Sequence, residues 1–355
     1  YNGNYGLNAQ WTVYNGSKRL KTIEQEKLNN RVADLDVATS ENDIRQSIAQ
    51  TYIQILYAAE SVKVNENTLQ VSEAQRDRGK QLLDAGSIAR SDYAQLEAQV
   101  STDRYQLVTA QATLQDYKLQ LKQLLELDGE QEMQIYLPVL GDENVLSPLP
   151  TKADVFQAAV ALRPEIEASK LSVEASELGI GIARSGYLPS VSLTAGIGTN
   201  HTSGSDFTFG EQVKNGWNNS IGLSISVPIF NNRQTKSAVE KAKLQYQTSQ
   251  LTLLDEQKTL YKTIEGLWLD ANSAQQRYAA AVEKLRSTQT SYELISEQFN
   301  AGMKNTVELL TEKNNLLQAQ QELLQSKYMA ILNTQLLKFY QGDELTGLTA
   351  ENKNI

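Results

Sequence analysis

Residues 48–69 read IAQTYIQILYAAESVKVNENTL, and in them Ile48, Ile55, Val62 and Leu69 fall seven apart. Apolar residues recurring at sevens form the seam along which one helix coils against another. No proline interrupts the surrounding stretch from Ser17 to about Leu83. The spacing therefore predicts one continuous helix, about 100 Å long at roughly 1.5 Å per residue. A twin lies 216 positions further on, the distance that separates Gly86 from Gly302. There Ile264, Ala271, Tyr278, Leu285, Tyr292 and Phe299 carry the same seam without a gap. The chain is a tandem duplication of one long coiled unit.

Each long helix ends at an Ala-Gly pair, Ala85-Gly86 and Ala301-Gly302. Glycine just past a helix is the usual left-handed stop, and here it predicts a tight helical hairpin. The return helix of about Ala89 to Leu127 repeats Val100, Leu107, Leu114 and Leu121. Its second seam position runs Leu96, Asp103, Ala110, Tyr117 and Leu124, with Asp103 the polar exception. The other return helix, about Thr306 to Tyr340, repeats Leu316, Leu323, Ala330 and Leu337.

Between the coiled segments the period changes from seven to two. Tyr5, Leu7, Ala9, Trp11 and Val13 alternate with Asn4, Gly6, Asn8, Gln10 and Thr12. Val191, Leu193, Ala195 and Ile197 alternate with Ser192, Thr194, Gly196 and Gly198; Ile221, Leu223, Ile225 and Val227 alternate with Gly222, Ser224 and Ser226. Such alternation marks strands with one apolar and one polar face. A half-buried sheet in a soluble domain produces it, and so does a membrane barrel. The polar face carries no charge, and Trp11, Tyr14, Tyr187 and Trp217 fall near strand ends, which favours the barrel. The loop from Thr199 to Asn219 joins the last two strands, and Asn15-Gly16 followed by Ser17 as N-cap opens the first long helix. Gly129, Pro138, Gly141, Pro148 and Pro150 break residues 128–150 into loops around a short strand at Met133–Leu137. Two helices follow, about Ala153 to Leu162 and Pro164 to Ser185. Aligning the two copies places a partner for the strand Ser190 to Gly198 upstream of Tyr1, so a further strand is expected there.

The 355 residues carry a formal net charge of −9, with no cluster of Lys and Arg, which argues against nucleic acid as partner. There is no cysteine, so disulfides and thiolate metal sites are excluded. No run of eighteen apolar residues occurs, so no membrane-spanning helix is expected. His201 stands alone in a polar loop, and Met133, Met303 and Met329 are too scattered for a thioether metal path. Paired acids such as Glu24 and Glu26 lie on charged helix faces. No Ser/His/Asp set, phosphate loop or catalytic dyad is present, and neither an enzyme nor a cofactor is expected.

The order of these elements resembles the TolC-type outer-membrane efflux protein family. Two tandem copies of strand, turn, long helix, Ala-Gly turn and return helix carry the likeness. So does Arg163-Pro164-Glu165 leading into Tyr187-Leu188-Pro189-Ser190. The resemblance implies a mainly α fold with a membrane β-barrel: a trimeric channel-tunnel of long coiled-coil hairpins, each protomer lending four strands. Residues 1–14 are then a barrel strand and 15–127 the first hairpin, with its tip at 84–91. Residues 128–186 form an equatorial domain and 187–230 a strand hairpin. Residues 231–340 are the second hairpin, with its tip at 300–307, and 341–355 are a C-terminal tail. It further implies the exit duct of a tripartite efflux system, in the bacterial outer membrane with a long periplasmic extension. Its partners are a periplasmic adaptor, an inner-membrane pump and outer-membrane lipid.

By position from each glycine, the resemblance assigns Ser91, Asp92, Phe299, Lys304 and Glu308 to the tunnel gate. It assigns Ala85, Gly86, Ser87, Ala301, Gly302 and Met303 to the tips that meet the adaptor. The sequence departs from the family in two ways: Phe299 and Lys304 replace a gate tyrosine and arginine, and Thr311 replaces the second acid of the constriction. Opposite charges at matching turns raise the expectation that Asp92 and Lys304 attract across neighbouring hairpins and hold the tips shut. A type I protein secretion duct shares this architecture. A soluble coiled-coil scaffold is the reading from a different class.

Overall fold

The structure, a computed structural model, describes residues 1–127, 135–138, 141 and 145–343. It is mainly helical, and the two long helices have the same length. Helix α1 spans Lys18–Asp84 and its twin α6 Gln234–Asn300, each of 67 residues. Their return helices are α2, Arg90–Leu124, and α7, Thr306–Gln341. Two shorter helices, α3 (Lys152–Leu162) and α4 (Pro164–Arg184), lie between the copies, and a 3-10 turn at Ser185–Tyr187 follows. Strands β1 (Asn2–Asn15), β2 (Ser190–Thr202) and β3 (Asn218–Ser226) form one antiparallel sheet in that order. A seven-residue helix, α5 (Phe209–Asn215), sits inside the β2–β3 connection, where only a loop was expected. Its signal is the capping box Thr208–Glu211.

The chain divides into two compact units, residues 1–38 with 164–257, and residues 39–163 with 258–355. The first unit holds the sheet. Its register aligns Leu7 with Ile197, Ala9 with Ala195 and Ile221, and Trp11 with Leu193 and Leu223, so these residues share one face. The opposite face is built by Asn8, Gly196 and Ser220, then Gln10, Thr194 and Gly222, then Thr12, Ser192 and Ser224. One expectation shifts: the register slips between Thr12 and Tyr14, so Val13 is the extra residue of a bulge and Tyr14 takes its place opposite Val191.

Where β1 meets α1 the chain makes a left-handed turn through Gly16 (φ 65°) and Ser17 (φ 64°), and the second copy repeats it at Asn232 (φ 50°) and Arg233 (φ 62°). The Ser17 carbonyl accepts from Lys21 N–H, but the side-chain cap comes from Asn15, whose Oδ1 accepts from Arg19 N–H at 3.2 Å. Ser17 cannot cap as expected, because its left-handed backbone replaces the extended one a capping residue needs. A Cβ at Gly16 would meet Leu188 Cβ at 2.7 Å, so the glycine also admits a close neighbour.

The second unit is a helical core. Ile53 and Leu56 of α1, Ala274 and Tyr278 of α6, and Leu324, Tyr328, Ala330 and Ile331 of α7 pack with Val145. The seam positions Ile55, Ile264, Ala271, Leu337 and Ala330 are fully buried. Trp268 donates to Pro150 O at 3.0 Å, and Gln275 donates to Val145 O and Ser147 O, which pins the proline-rich segment on α6. Helix α3 packs on α7, with the Arg163 guanidinium over Tyr340 at 4.3 Å; α4 belongs to the first unit. Of the strand expected at Met133–Leu137, residues 133 and 134 lie outside the described residues, as does the tail beyond Asp343; the described 135–137 form no strand.

Candidate functional site

The two Ala-Gly turns have the same hydrogen bonds, residue for residue. Ser87 N–H donates to Leu82 O and Ala85 N–H to Gln81 O; in the second copy Met303 donates to Gln298 O and Ala301 to Glu297 O. The six-to-one bond and the left-handed glycine, φ 74° at Gly86 and 75° at Gly302, make both turns Schellman stops. Ala85, Gly86, Ser87, Ala301, Gly302 and Met303 are all exposed, so the first turn presents backbone and small side chains to solvent and the second adds the Met303 side chain.

Apart from Phe299, which lies at the end of the outgoing helix α6, the candidate gate residues stand on the return side of each turn, and Asp92 and Glu308 occupy the same place in their helices. Each is the third residue, and each carboxylate reaches back to the N-terminal cap. Asp92 accepts from Ala89 N–H at 3.2 Å, and Glu308 from Asn305 N–H at 3.2 Å. Asn305 completes a reciprocal box by accepting from Glu308 N–H at 2.9 Å, which Ala89 has no side-chain oxygen to match. Lys304 Nζ donates to Glu308, four residues along. That hydrogen bond, then the Asn305 N–H, holds the Glu308 carboxyl below its ordinary value. Within one chain each charge is engaged inside its own turn, Asp92 with the Ala89 N–H and Lys304 with Glu308. Ser91 is exposed. Phe299 is buried against Leu96 and Leu309 and acts there as packing.

A few turns away from the tips lies a cluster that sequence reading half found. Asp103 of α2 forms an ion pair with Lys313 of α7; the two side chains are 2% and 4% exposed. Ser72 of α1 accepts from Lys313 and donates to Asp103, and Gln99 Nε2 donates to the other Asp103 oxygen at 2.9 Å. Three helices thus converge on one buried charge pair. Burial lowers the proton affinity of Lys313, and the Asp103 carboxylate opposes that shift. Nearby, Gln75 donates to Tyr292 OH at 2.7 Å and ties α1 to α6. The pair occurs once only, since the matching positions 216 away hold Thr288, Ala319 and Glu97. Asp103 was visible as a charge in a seam. Lys313 went unnoticed, although its place between Leu309 and Leu316 on the buried stripe of α7 marks it.

Among the described residues no group of three or more His, Asp or Glu is placed to hold a metal ion, and no helix is long and apolar enough to cross a membrane.

The fold finds its counterpart among known proteins. Residues 1–126 and 155–342 match the family model described as outer membrane efflux protein. The outer membrane protein TolC of Escherichia coli K12 is 25% identical over 340 residues, 92% of this chain and 66% of TolC. The alkaline protease secretion protein AprF of Pseudomonas aeruginosa is 22% identical over 312 residues, 85% of this chain and 63% of AprF. A crystal structure of CusC superposes with a TM-score of 0.81 at 20% identity, over 96% of this chain and 77% of that one. The chain spans about two thirds of the length of TolC. It belongs to the outer membrane efflux protein family, and with that family to the outer membrane.

Proposed function

We propose that this protein is the exit duct of a tripartite efflux system, a homotrimer in which several copies of the sheet close one barrel and the helical hairpins form the periplasmic tunnel. The observation that carries this reading is the sheet. One face is Asn, Gly, Gln, Thr and Ser without charge; the other exposes Leu7, Trp11, Ile221, Leu223 and Ile225. An isolated sheet in water has no use for so large an exposed apolar surface, whereas a barrel wall faces it to lipid and turns the polar side to a wet pore. Three strands cannot close alone, because the smallest such barrels have about eight. Leu20, Val37, Leu244 and Leu251 are also exposed along the long helices, as expected of faces that neighbouring copies cover.

The exposed turns at Gly86 and Gly302 are the surfaces offered to the adaptor, through which the chain meets an inner-membrane pump. Asp92, Lys304 and Glu308 line the constriction, with Ser91 beside them and Phe299 packed behind. The described residues 145–186 belong to the equatorial belt. The duct itself performs no chemistry, and energy for transport comes from the pump. AprF is by name a secretion protein, so export of protein through the same duct is the second reading.

Fractionation tests the proposal. The protein is expected to partition with the outer membrane and to run as a trimer in mild detergent. Recovery as a soluble monomer or dimer without detergent would instead assign it to the coiled-coil scaffolds.

A further inference from the structure

The β2–β3 connection does not simply loop between strands; it folds onto one side of the sheet, and the register says which. Tyr5 pairs with Thr199 and Gly3 with His201, so Tyr5, Thr199 and His201 stand on the same face as Leu7, Ile197, Trp11 and Leu223. The Phe209 ring, first residue of α5, lies edge-on to Tyr5 (6.3 Å, 84°) and to His201 (5.1 Å, 70°). The Thr199 hydroxyl donates to Val213 O at 2.8 Å and ties the helix to that face. Trp217, where the chain returns to β3, shares a shallow groove with Tyr5, Leu7, Ile197 and Thr199. The approach to the polar face is at the root of the loop, where a Cβ on Gly216 would meet Asn200 Oδ1 at 2.4 Å. Phe207, Phe209 and Trp217 remain 60%, 55% and 54% exposed, while Asp206, Glu211 and Lys214 are exposed beside them.

We infer that the segment 203–217 is a membrane-surface anchor on the outside of the barrel wall, not a lid over its mouth. It continues the apolar strand face and ends it with exposed rings flanked by charge, the composition that settles where acyl chains meet headgroups. Its partner is the lipid boundary of the leaflet at that end of the strands. The inference rests on reading the sheet as a barrel wall.

Tryptophan fluorescence in vesicles separates the two claims. With Trp11, Trp217 and Trp268 replaced by Phe, Phe209→Trp gives a single reporter in the anchor. A companion variant keeps only Trp11, on the apolar strand face away from the segment. Trimer migration on native gels checks that both variants assemble. The Phe209→Trp emission is expected to be quenched by lipid brominated on the acyl chain near the headgroup, and to be protected from iodide. Quenching by iodide but not by bromolipid, with Trp11 quenched by bromolipid, overturns the anchor and leaves the barrel standing. Protection from both quenchers puts a neighbouring protein surface over the segment and also overturns it. If Trp11 escapes bromolipid as well, the barrel reading falls, and the anchor with it.

Discussion

Asp103 and Lys313 form a buried pair whose value lies in being complete. Two charges removed from water are costly, and their mutual attraction offsets that cost only while both are present and hydrogen-bonded. Removing one leaves the other uncompensated. Asp103→Ala or Lys313→Ala is therefore expected to destabilise the protein by about 3–5 kcal/mol, read as a lowered unfolding midpoint in denaturant. Replacing both, as Asp103→Leu with Lys313→Met, is expected to recover most of that loss, and a double variant as unstable as the singles would contradict the account. Glu308 makes a different prediction because it is only half buried. Its folded-state pKa lies below the ordinary 4.5, so its contribution is complete above that value and is lost as the pH falls through the lower one. Hydrogen exchange at the amides of 305–309 is expected to lose protection below about pH 4.5, and Glu308→Gln to abolish that dependence. Residue roles were the least legible part of the sequence. A carboxylate in a heptad seam announces that it needs a partner, but which helix supplies the cation depends on how the hairpins pack. Asp92 and Lys304 looked complementary in sequence because opposite signs at matching turns suggest a pair. Within one chain, local geometry gives Asp92 the Ala89 N–H and Lys304 the Glu308 carboxylate.

At the scale of elements, the left-handed glycines divide into two kinds. A Cβ at Gly86 or Gly302 meets nothing within 4 Å, so Gly86→Ala carries only the backbone cost of the left-handed region, about 1–2 kcal/mol. Gly16→Ala meets that same cost and a collision with Leu188 Cβ at 2.7 Å besides. Thermal melts are expected to rank Gly16→Ala clearly below Gly86→Ala; equal melting temperatures would mean that the turn at Gly16 yields freely. The elements themselves were readable. Period seven gave both 67-residue helices to within a residue or so, since a long seam offers many votes and proline or glycine ends it sharply. Period two gave the strands, but not their ends: β2 runs on to Thr202 and β3 begins at Asn218, because hydrogen bonding continues where the apolar alternation has already faded into Asn, His and Thr. The short helix Phe209–Asn215 has too few residues for a periodic signal. Only its capping box was there to be read.

For the whole molecule, the duplication is the feature that sequence conveyed best and function depends on most. Turns and seams repeat at an offset of 216, so one chain contributes two hairpins of matching design; the buried pair Asp103–Lys313 breaks that symmetry. What the chain alone leaves unsatisfied is apolar surface, on the sheet and along the long helices, and we assign it to lipid and to further copies. The central claim is that the assembled copies enclose a water-filled path. Single-channel recording from purified trimers in a planar bilayer tests it most directly. Discrete conductance steps are predicted, growing larger and open more often when the tip charges Asp92, Lys304 and Glu308 are replaced by alanine together. Trimers that insert yet leave the bilayer electrically silent, with the tip charges present or removed, would contradict the account.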